Sequence, residues 1–183
     1  MPDLSSSTAL MESFIANEGL RKHCYAVAAA MRFYADKLNE NKEKWEIAGL
    51  LHDLDWEKFP DTHPNTAVPV LKEEGYDDET IEAILGHAYP ERTDVPRTSM
   101  LAKYLFACDE ITGFITAYSY MKPGGLDSVE VKSIKKKMKD KAFARNINRE
   151  DILKGAEDIG LPFDEHLNNI ISSMRTDPKV NTK

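Results

Sequence analysis

Apolar residues recur at intervals of three and four along most of the chain, and this helical period constrains the fold more than any other feature. It predicts helices over residues 8–18, 20–38, 43–53, 63–74, 77–88, 99–121, 127–140, 148–159 and 163–175. No stretch of convincing length alternates apolar and polar residues, as a half-buried strand would. We therefore predict an all-α bundle in which the helix over 99–121, apolar on nearly every side, is central.

The length of 183 residues suits one domain over residues 1–183, with a core over about 20–120. The KPGG turn separates this core from a C-terminal helical extension over about 122–175. The last eight residues, TDPKVNTK, are expected to fray, and His166 on the last helix is expected to be exposed.

Composition favours a cytoplasmic protein without a membrane partner. No apolar run approaches the roughly 20 residues that span a bilayer, and the start MPDLSSST lacks the order of a secretory signal. Cys24 and Cys108 lie in apolar helical contexts without CxxC spacing, so we predict buried thiols rather than a disulfide.

Charge is distributed unevenly along the chain. The net charge of −7 argues against a stable nucleic-acid partner. Residues 122–154 nevertheless hold ten Lys or Arg against five Asp or Glu, so this basic segment carries +5 and the remainder −12. Such a run forms either a solvated helix face or a surface that folds over an anionic ligand.

Ionisable residues interrupt the apolar pattern at a few places. In AGLLHDLDWEKF, residues 48–59, an apolar run ends in His52, Asp53, Asp55 and Glu57. Asp109 lies mid-helix in the most apolar segment, where an unpaired carboxylate would be very costly. Taken singly, His23, His52, His63 and His87 each have a structural explanation, as satisfied core groups or helix caps. Taken together with Asp109, they suit a divalent metal held inside a helical bundle.

The ordered set His23, His52-Asp53 and Asp109 resembles the H…HD…D signature of the HD-domain superfamily of metal-dependent phosphohydrolases. The segments AGLLHDLDWEKF and LFACDEITGFI resemble those that surround these ligands in HD-domain proteins. The resemblance covers roughly residues 20–120. The resemblance implies an HD-type helical bundle and a metal site at these four residues. The early His63 and the segment KKKMKDKAFARNINRE also resemble a compact bacterial subgroup of HD proteins.

His63 and His87 extend the pattern to that of HD proteins that hold two metals. In that interpretation Asp53 bridges between an ion bound by His23, His52 and Asp109 and a second bound by His63 and His87. Either added histidine could instead contact substrate phosphate. The cofactor is therefore one or two divalent ions, with Mn, Fe, Ni, Co, Zn and Mg not distinguished.

The family resemblance implies hydrolysis of a small phosphoester, a nucleotide among the candidates, by metal-activated water. Catalytic roles are predicted for Asp53 as ligand and for Glu57 and Asp55 in proton transfer. Some relatives place an acid three residues after the HD aspartate, where this chain has Trp56, and the lysine of HDIG-type relatives is also missing from that place. Glu57 would face the site only if the helix continued; otherwise it is a solvated loop carboxylate.

Two groups of cations are candidates for binding substrate phosphate. Arg92 and Arg97 lie in the loop between His87 and the helix of Asp109, and the alternative is the basic segment with Lys141, Arg145 and Arg149. The expected partner is a small phosphorylated molecule, and a homodimer is the default oligomer. Two rival functions stay open: a non-haem di-iron oxygenase, and a non-catalytic regulatory module that binds a metal or a nucleotide.

Overall fold

A computed structural model describes residues 1–181. Within these residues all regular structure is helical, which confirms the all-α prediction. The α-helices are α1 (Leu4–Phe14), α2 (Glu18–Leu38), α3 (Lys42–Leu51), α4 (Ala67–Glu73), α5 (Asp78–His87), α6 (Met100–Ser119), α7 (Val131–Met138), α8 (Arg149–Asp158) and α9 (Phe163–Thr176). A short 3-10 helix spans Gly125–Ser128.

Six of these helices lie within two residues of the predicted bounds, and three do not. Helix α1 begins four residues early because the Asp3 carboxylate accepts from the Ser6 N–H at 2.8 Å and caps the first turn. The helix predicted over 63–74 begins only at Ala67, because residues 52–66 form a series of turns. The helix predicted over 127–140 is divided into the 3-10 helix and α7.

Helix α6 occupies the centre of the bundle, as its apolar sequence predicts. It packs against α2, α3, α5, α8 and α9, and α2 in turn packs along α3. Cys24 and Cys108 are buried free thiols, which confirms the prediction for both. Within the described chain no helix is both long and apolar enough to cross a membrane.

The C-terminal helices pack on this core. His166 of α9 is fully buried, so the prediction that it is exposed is wrong. Its Nδ1 accepts from the Tyr34 hydroxyl at 2.6 Å, and its Nε2–H donates to the Ala107 carbonyl at 2.8 Å.

The predicted fraying of the tail is also wrong for the residues that the structure describes. Asp177 and Val180 are buried, and the Asp177 carboxylate accepts from the Arg32 guanidinium at 2.8 Å. This ion pair fixes the chain after α9 against α2. Thr182 and Lys183 belong to the same prediction and lie outside the described residues.

Candidate metal centre

The ends of α3 and α5 and the faces of α2 and α6 converge on one point in the bundle. Helix α3 ends at Leu51, so His52 lies at its C-cap and Asp53 begins the turns that follow. His87 is the last residue of α5, and His23 and Asp109 lie within α2 and α6. The turn segment 52–66 brings His63 back to the same place.

His23, His52 and Asp109 form the first group of candidate metal ligands, called here the first ligand group. The His23 Nε2 atom lies 3.2 Å from the Nε2 of His52 and 3.0 Å from the Asp109 Oδ1. The His52 Nε2 lies 3.5 Å from the same carboxylate oxygen. Three donor atoms from three helical elements therefore face a single small volume.

Asp53, His63 and His87 form the second ligand group. The Nε2 atoms of His63 and His87 are 3.1 Å apart, and the Asp53 Oδ1 lies 3.5 Å from the His63 Nε2. The other oxygen of Asp53, Oδ2, lies 3.5 Å from the His52 Nε2 and 3.8 Å from the His23 Nε2. Asp53 thus presents one carboxylate oxygen to each group.

Hydrogen bonds on the far side of three imidazole rings fix their orientation. The Nδ1–H of His52 donates to the Gly49 carbonyl at 2.8 Å, and that of His87 donates to the Ile84 carbonyl. The Nδ1–H of His63 donates to the Asp55 carboxylate at 2.7 Å. These bonds leave each Nε2 as the atom that faces the centre, which is the arrangement typical of metal-ligating histidines.

The chemistry of this donor set fits a divalent cation. The Nδ1–H groups of His63 and His87 donate away from the centre, so the two Nε2 atoms face each other across 3.1 Å, and in neutral rings each carries a lone pair. Such lone pairs repel unless a cation lies between them or beside them. Imidazole nitrogens and carboxylate oxygens together are ligands for first-row divalent metals.

Burial and the neighbouring charges shift the pKa values of three candidate ligand residues. Burial lowers the pKa of His52, but the carboxylates of Asp53 and Asp109 outweigh it and raise this pKa to about 9. Burial raises the pKa of Asp109, but His52 and His23 hold it well below its usual range. Burial and the charge of His52 lower the pKa of His87 to about 4. The carboxylates therefore favour positive charge at the first group, while His87 stays neutral.

A cavity of about 480 Å³ opens over the two ligand groups. Besides five of the six candidate ligand residues, its wall contains residues that are not among the predicted site residues, chiefly Glu91, Phe106, Glu110, Asn146, Ile147 and Asp151. Burial, with the nearby charges of Asp109 and Asp151, raises the pKa of Glu110 to about 8. Glu110 follows Asp109 in the same apolar helix, where an unpaired carboxylate is costly, so the sequence signal that identifies Asp109 is present for Glu110 too. Sequence offers no comparable signal for Glu91 or Asp151.

Arg92 is the one predicted substrate-binding residue in this cavity wall. Its guanidinium lies 5.1 Å from the ring centre of Trp56, which also lines the cavity, and donates to the Pro60 carbonyl at 2.7 Å. The other predicted cations, Arg97, Lys141, Arg145 and Arg149, do not line the cavity.

Arg97 and Arg149 have structural partners instead. The Arg97 guanidinium lies 3.7 Å from the ring centre of Phe106 and donates to the Gly86 carbonyl at 3.0 Å. Arg149 donates to the carbonyls of Phe143, Ala144 and Ile147, and so holds the loop before α8. Lys141 and Arg145 line a separate depression that adjoins the cavity at Asn146 and Ile147.

The two acids predicted for proton transfer lie away from the cavity. Asp55 is fully buried behind His63 and accepts from the Ala67 N–H at 2.8 Å, so it orients a ligand and caps α4. Because the helix does not continue past Leu51, Glu57 does not face the site. Its carboxylate accepts from the N–H groups of Ala16 and Asn17, each at 2.9 Å, and joins the turn to the start of α2.

Comparison with known proteins agrees with this geometry. A family model described as the HD domain matches residues 20–113, a span that runs from α2 into α6 and contains all six ligand candidates. No curated protein and no solved structure matches the chain.

Proposed function

Because the chain belongs to the HD-domain family, a superfamily of metal-dependent phosphohydrolases, we propose that it hydrolyses a small phosphoester with one or two divalent metal ions. The observation that carries this proposal is the pairing of two His/Asp groups by one carboxylate. Asp53 directs Oδ2 toward His23 and His52 and Oδ1 toward His63. Two divalent ions, if both groups were occupied, would supply the charge that suits displacement at phosphorus.

Each ligand group has a defined task in this proposal. His23, His52, Asp53 and Asp109 would hold one ion, and Asp53, His63 and His87 would hold the other. Bound ions would supply Lewis acidity, to activate water for attack and to offset charge that develops on the phosphoryl oxygens. The protein keeps the ligands in place through Gly49, Asp55 and Ile84, whose oxygens fix the three buried imidazoles.

The charges of the cavity wall support a substrate with a single phosphate group. Arg92 lies in the cavity wall, where its guanidinium could pair with a substrate phosphate. Glu91 and Asp151 make no salt bridge within the described residues, and negative charges on a substrate would be repelled there. A phosphomonoester therefore fits better than a nucleoside triphosphate.

A combined measurement of metal and activity tests the proposal. The purified protein is analysed for first-row metals and assayed with p-nitrophenyl phosphate, nucleoside monophosphates and nucleoside triphosphates, with each candidate ion added in turn. We expect bound metal and metal-dependent release of phosphate, faster from the monoesters. Metal-free protein that binds no added ion would overturn the proposal.

Matched variants connect that activity to the site. His52→Ala and Asp53→Asn should abolish phosphate release, whereas Asp61→Asn, an exposed aspartate in the turns after Asp53, should leave it unchanged. Phosphate release that survives both site variants would show that another protein in the preparation is responsible.

The six-ligand arrangement also suits a second function, iron-dependent oxygenation. The observation that favours it is again the carboxylate of Asp53 shared between two His-containing groups, since oxidative members of the superfamily use a similar two-iron site. Product formation that requires both ferrous iron and dioxygen, with no phosphate released from any ester, would support the oxygenase over the hydrolase.

A further inference from the structure

The lysines of α7 in the basic segment do not line the metal cavity and border a second concave surface. Four lysines of this segment, at spacings of three, one and three along α7 and its C-cap, share one face of the helix. They are Lys132, Lys135, Lys136 and Lys139. This lysine row forms one edge of a groove between α7, α8 and α9, which we call the C-terminal groove.

The floor of the C-terminal groove is apolar. It contains Val131 and Met138 from α7, Leu153 from α8 and Phe163 from α9. Leu153 is 51% exposed. It is an apolar side chain on the surface of a helix that is rich in charged residues. The groove encloses about 660 Å³, within the range of about 300 to 1,000 Å³ usual for ligand sites.

Charge on the rim is only partly compensated. Lys135 pairs with Asp164, the one acid of the groove wall, at 2.6 Å, and Lys132 pairs with Glu130 at 3.0 Å. Lys136 and Lys139 make no salt bridge within residues 1–181. An apolar floor beside uncompensated lysines is complementary to a ligand that is itself both apolar and acidic.

We propose that the C-terminal groove binds an acidic amphipathic helix of a partner protein. Apolar side chains of that helix enter the groove over Leu153 and Phe163, and its carboxylates lie along the lysine row. This surface is separate from the metal cavity, so the proposal does not depend on the proposed hydrolysis.

The shape and charge of the groove favour a peptide over other acidic ligands. The phosphate backbone of a nucleic acid would not bury the apolar floor of the groove. A membrane surface has no side chain that could fill a concave groove. The remainder of the chain carries −12, which would repel both of these extended anionic surfaces. A short helix contacts the groove alone and avoids that repulsion.

Binding of a designed helix tests the proposal on the full chain. The probe is a fluorescein-labelled peptide of glutamate and leucine, with leucine at spacings of three and four, followed by fluorescence anisotropy. We expect saturable binding that weakens as salt is added, and no binding of the same peptide with lysine in place of glutamate. Absence of binding by the glutamate peptide would overturn the proposal.

Surface variants locate the binding. Lys136→Glu and Leu153→Glu should each weaken binding by about tenfold, whereas Lys72→Glu, an exposed lysine of α4, should not. Because Lys136 is exposed, its variant keeps the test valid if Leu153→Glu fails to fold. An equal loss with Lys72→Glu would show non-specific charge attraction and contradict the proposal.

Two further results would assign the groove to a different occupant and overturn the peptide proposal. The first is displacement of the peptide by phosphatidylserine vesicles together with tighter binding of those vesicles. The second is self-association of the chain, seen by sedimentation, that Leu153→Glu abolishes and that excludes the peptide.

Discussion

Four acidic residues of this chain differ in role because their surroundings differ, although three of them lie within five residues of one another. Asp53 faces both ligand groups, and Asp109 faces only the first. Asp55 lies behind His63, and Glu57 caps the start of α2. Position relative to the imidazole rings, rather than residue type, therefore decides which carboxylates are ligands in the proposed centre.

Asp55 can be tested through the metal affinity of the second group. In Asp55→Asn the side-chain amide cannot accept from both the His63 Nδ1–H and the Ala67 N–H, so the His63 ring loses its orientation. We expect metal affinity at that group to fall roughly 10- to 100-fold while the protein stays folded. Metal titration with circular dichroism as the folding control checks this, and unchanged affinity in a folded variant would contradict it.

The position of Asp53 between the two ligand groups predicts a difference between two similar variants. Asp53→Asn should reduce metal content at both groups, because each of its oxygens faces one of them. Asp109→Asn should reduce it at the first group alone, leaving about half of the metal of a two-ion protein. Elemental analysis of the two purified variants measures this, and equal metal loss would remove Asp53 from the bridging role.

At the scale of helices, the close approach of α2 and α3 positions the first ligand group. A Cβ at Gly49 would lie 2.9 Å from the backbone N and Cα of Ala28, so only glycine allows this contact. The carbonyl of Gly49 also accepts from the Nδ1–H of His52. Gly49 thus sets both the separation of the two helices and the direction of the His52 ring, a candidate metal ligand.

Alanine at Gly49 should therefore destabilise the fold and weaken metal binding together. We expect Gly49→Ala to lower the free energy of unfolding by about 1 to 3 kcal/mol through overpacking. Gly113→Ala in α6 is the comparison, since its Cβ would make ordinary contact with Ile147 at 3.5 Å. Alanine there should raise the free energy of unfolding by about 0.5 to 1 kcal/mol. Urea denaturation distinguishes the two, and the same sign for both would contradict the packing argument.

At the scale of the whole molecule, the C-terminal helices complete the bundle around α6. His166 joins α9 to Tyr34 of α2 and to Ala107 of α6. Burial lowers the pKa of His166 to about 4, so the folded protein keeps this imidazole neutral over a pH range in which the unfolded chain protonates it. The stability that the residue contributes is present above pH 6.5 or so and is lost as the pH falls toward 4.

This linkage predicts a specific pH dependence. The free energy of unfolding of the natural chain should exceed that of His166→Gln most at neutral pH. The difference should shrink by on the order of 3 kcal/mol as the pH falls from about 6.5 to 4. Urea denaturation of both proteins across this range measures it. A difference that stays constant would show that His166 titrates alike in the folded and unfolded states.

The sequence determined the helical class and the central helix, and it singled out candidate metal ligands, because periodicity and the cost of buried charge are local properties. His23, His52, Asp53 and Asp109 could be chosen for that reason together with their order along the chain. His166 shows the limit of such reasoning, since the same residue type near the C-terminus is buried by contacts with α2 and α6.

Only the tertiary structure decided which charged side chains share a cavity. Arg92 lines it and Arg97 does not, although five residues separate them, because the guanidinium of Arg97 turns to Phe106 and to backbone carbonyls. Glu110 and Asp151 meet there from α6 and α8, and the lysines of α7 lie on a different groove. These placements depend on how helices that are distant in sequence pack together. The periodicity of the sequence indicates which face of each helix is buried, but not which other helix it contacts.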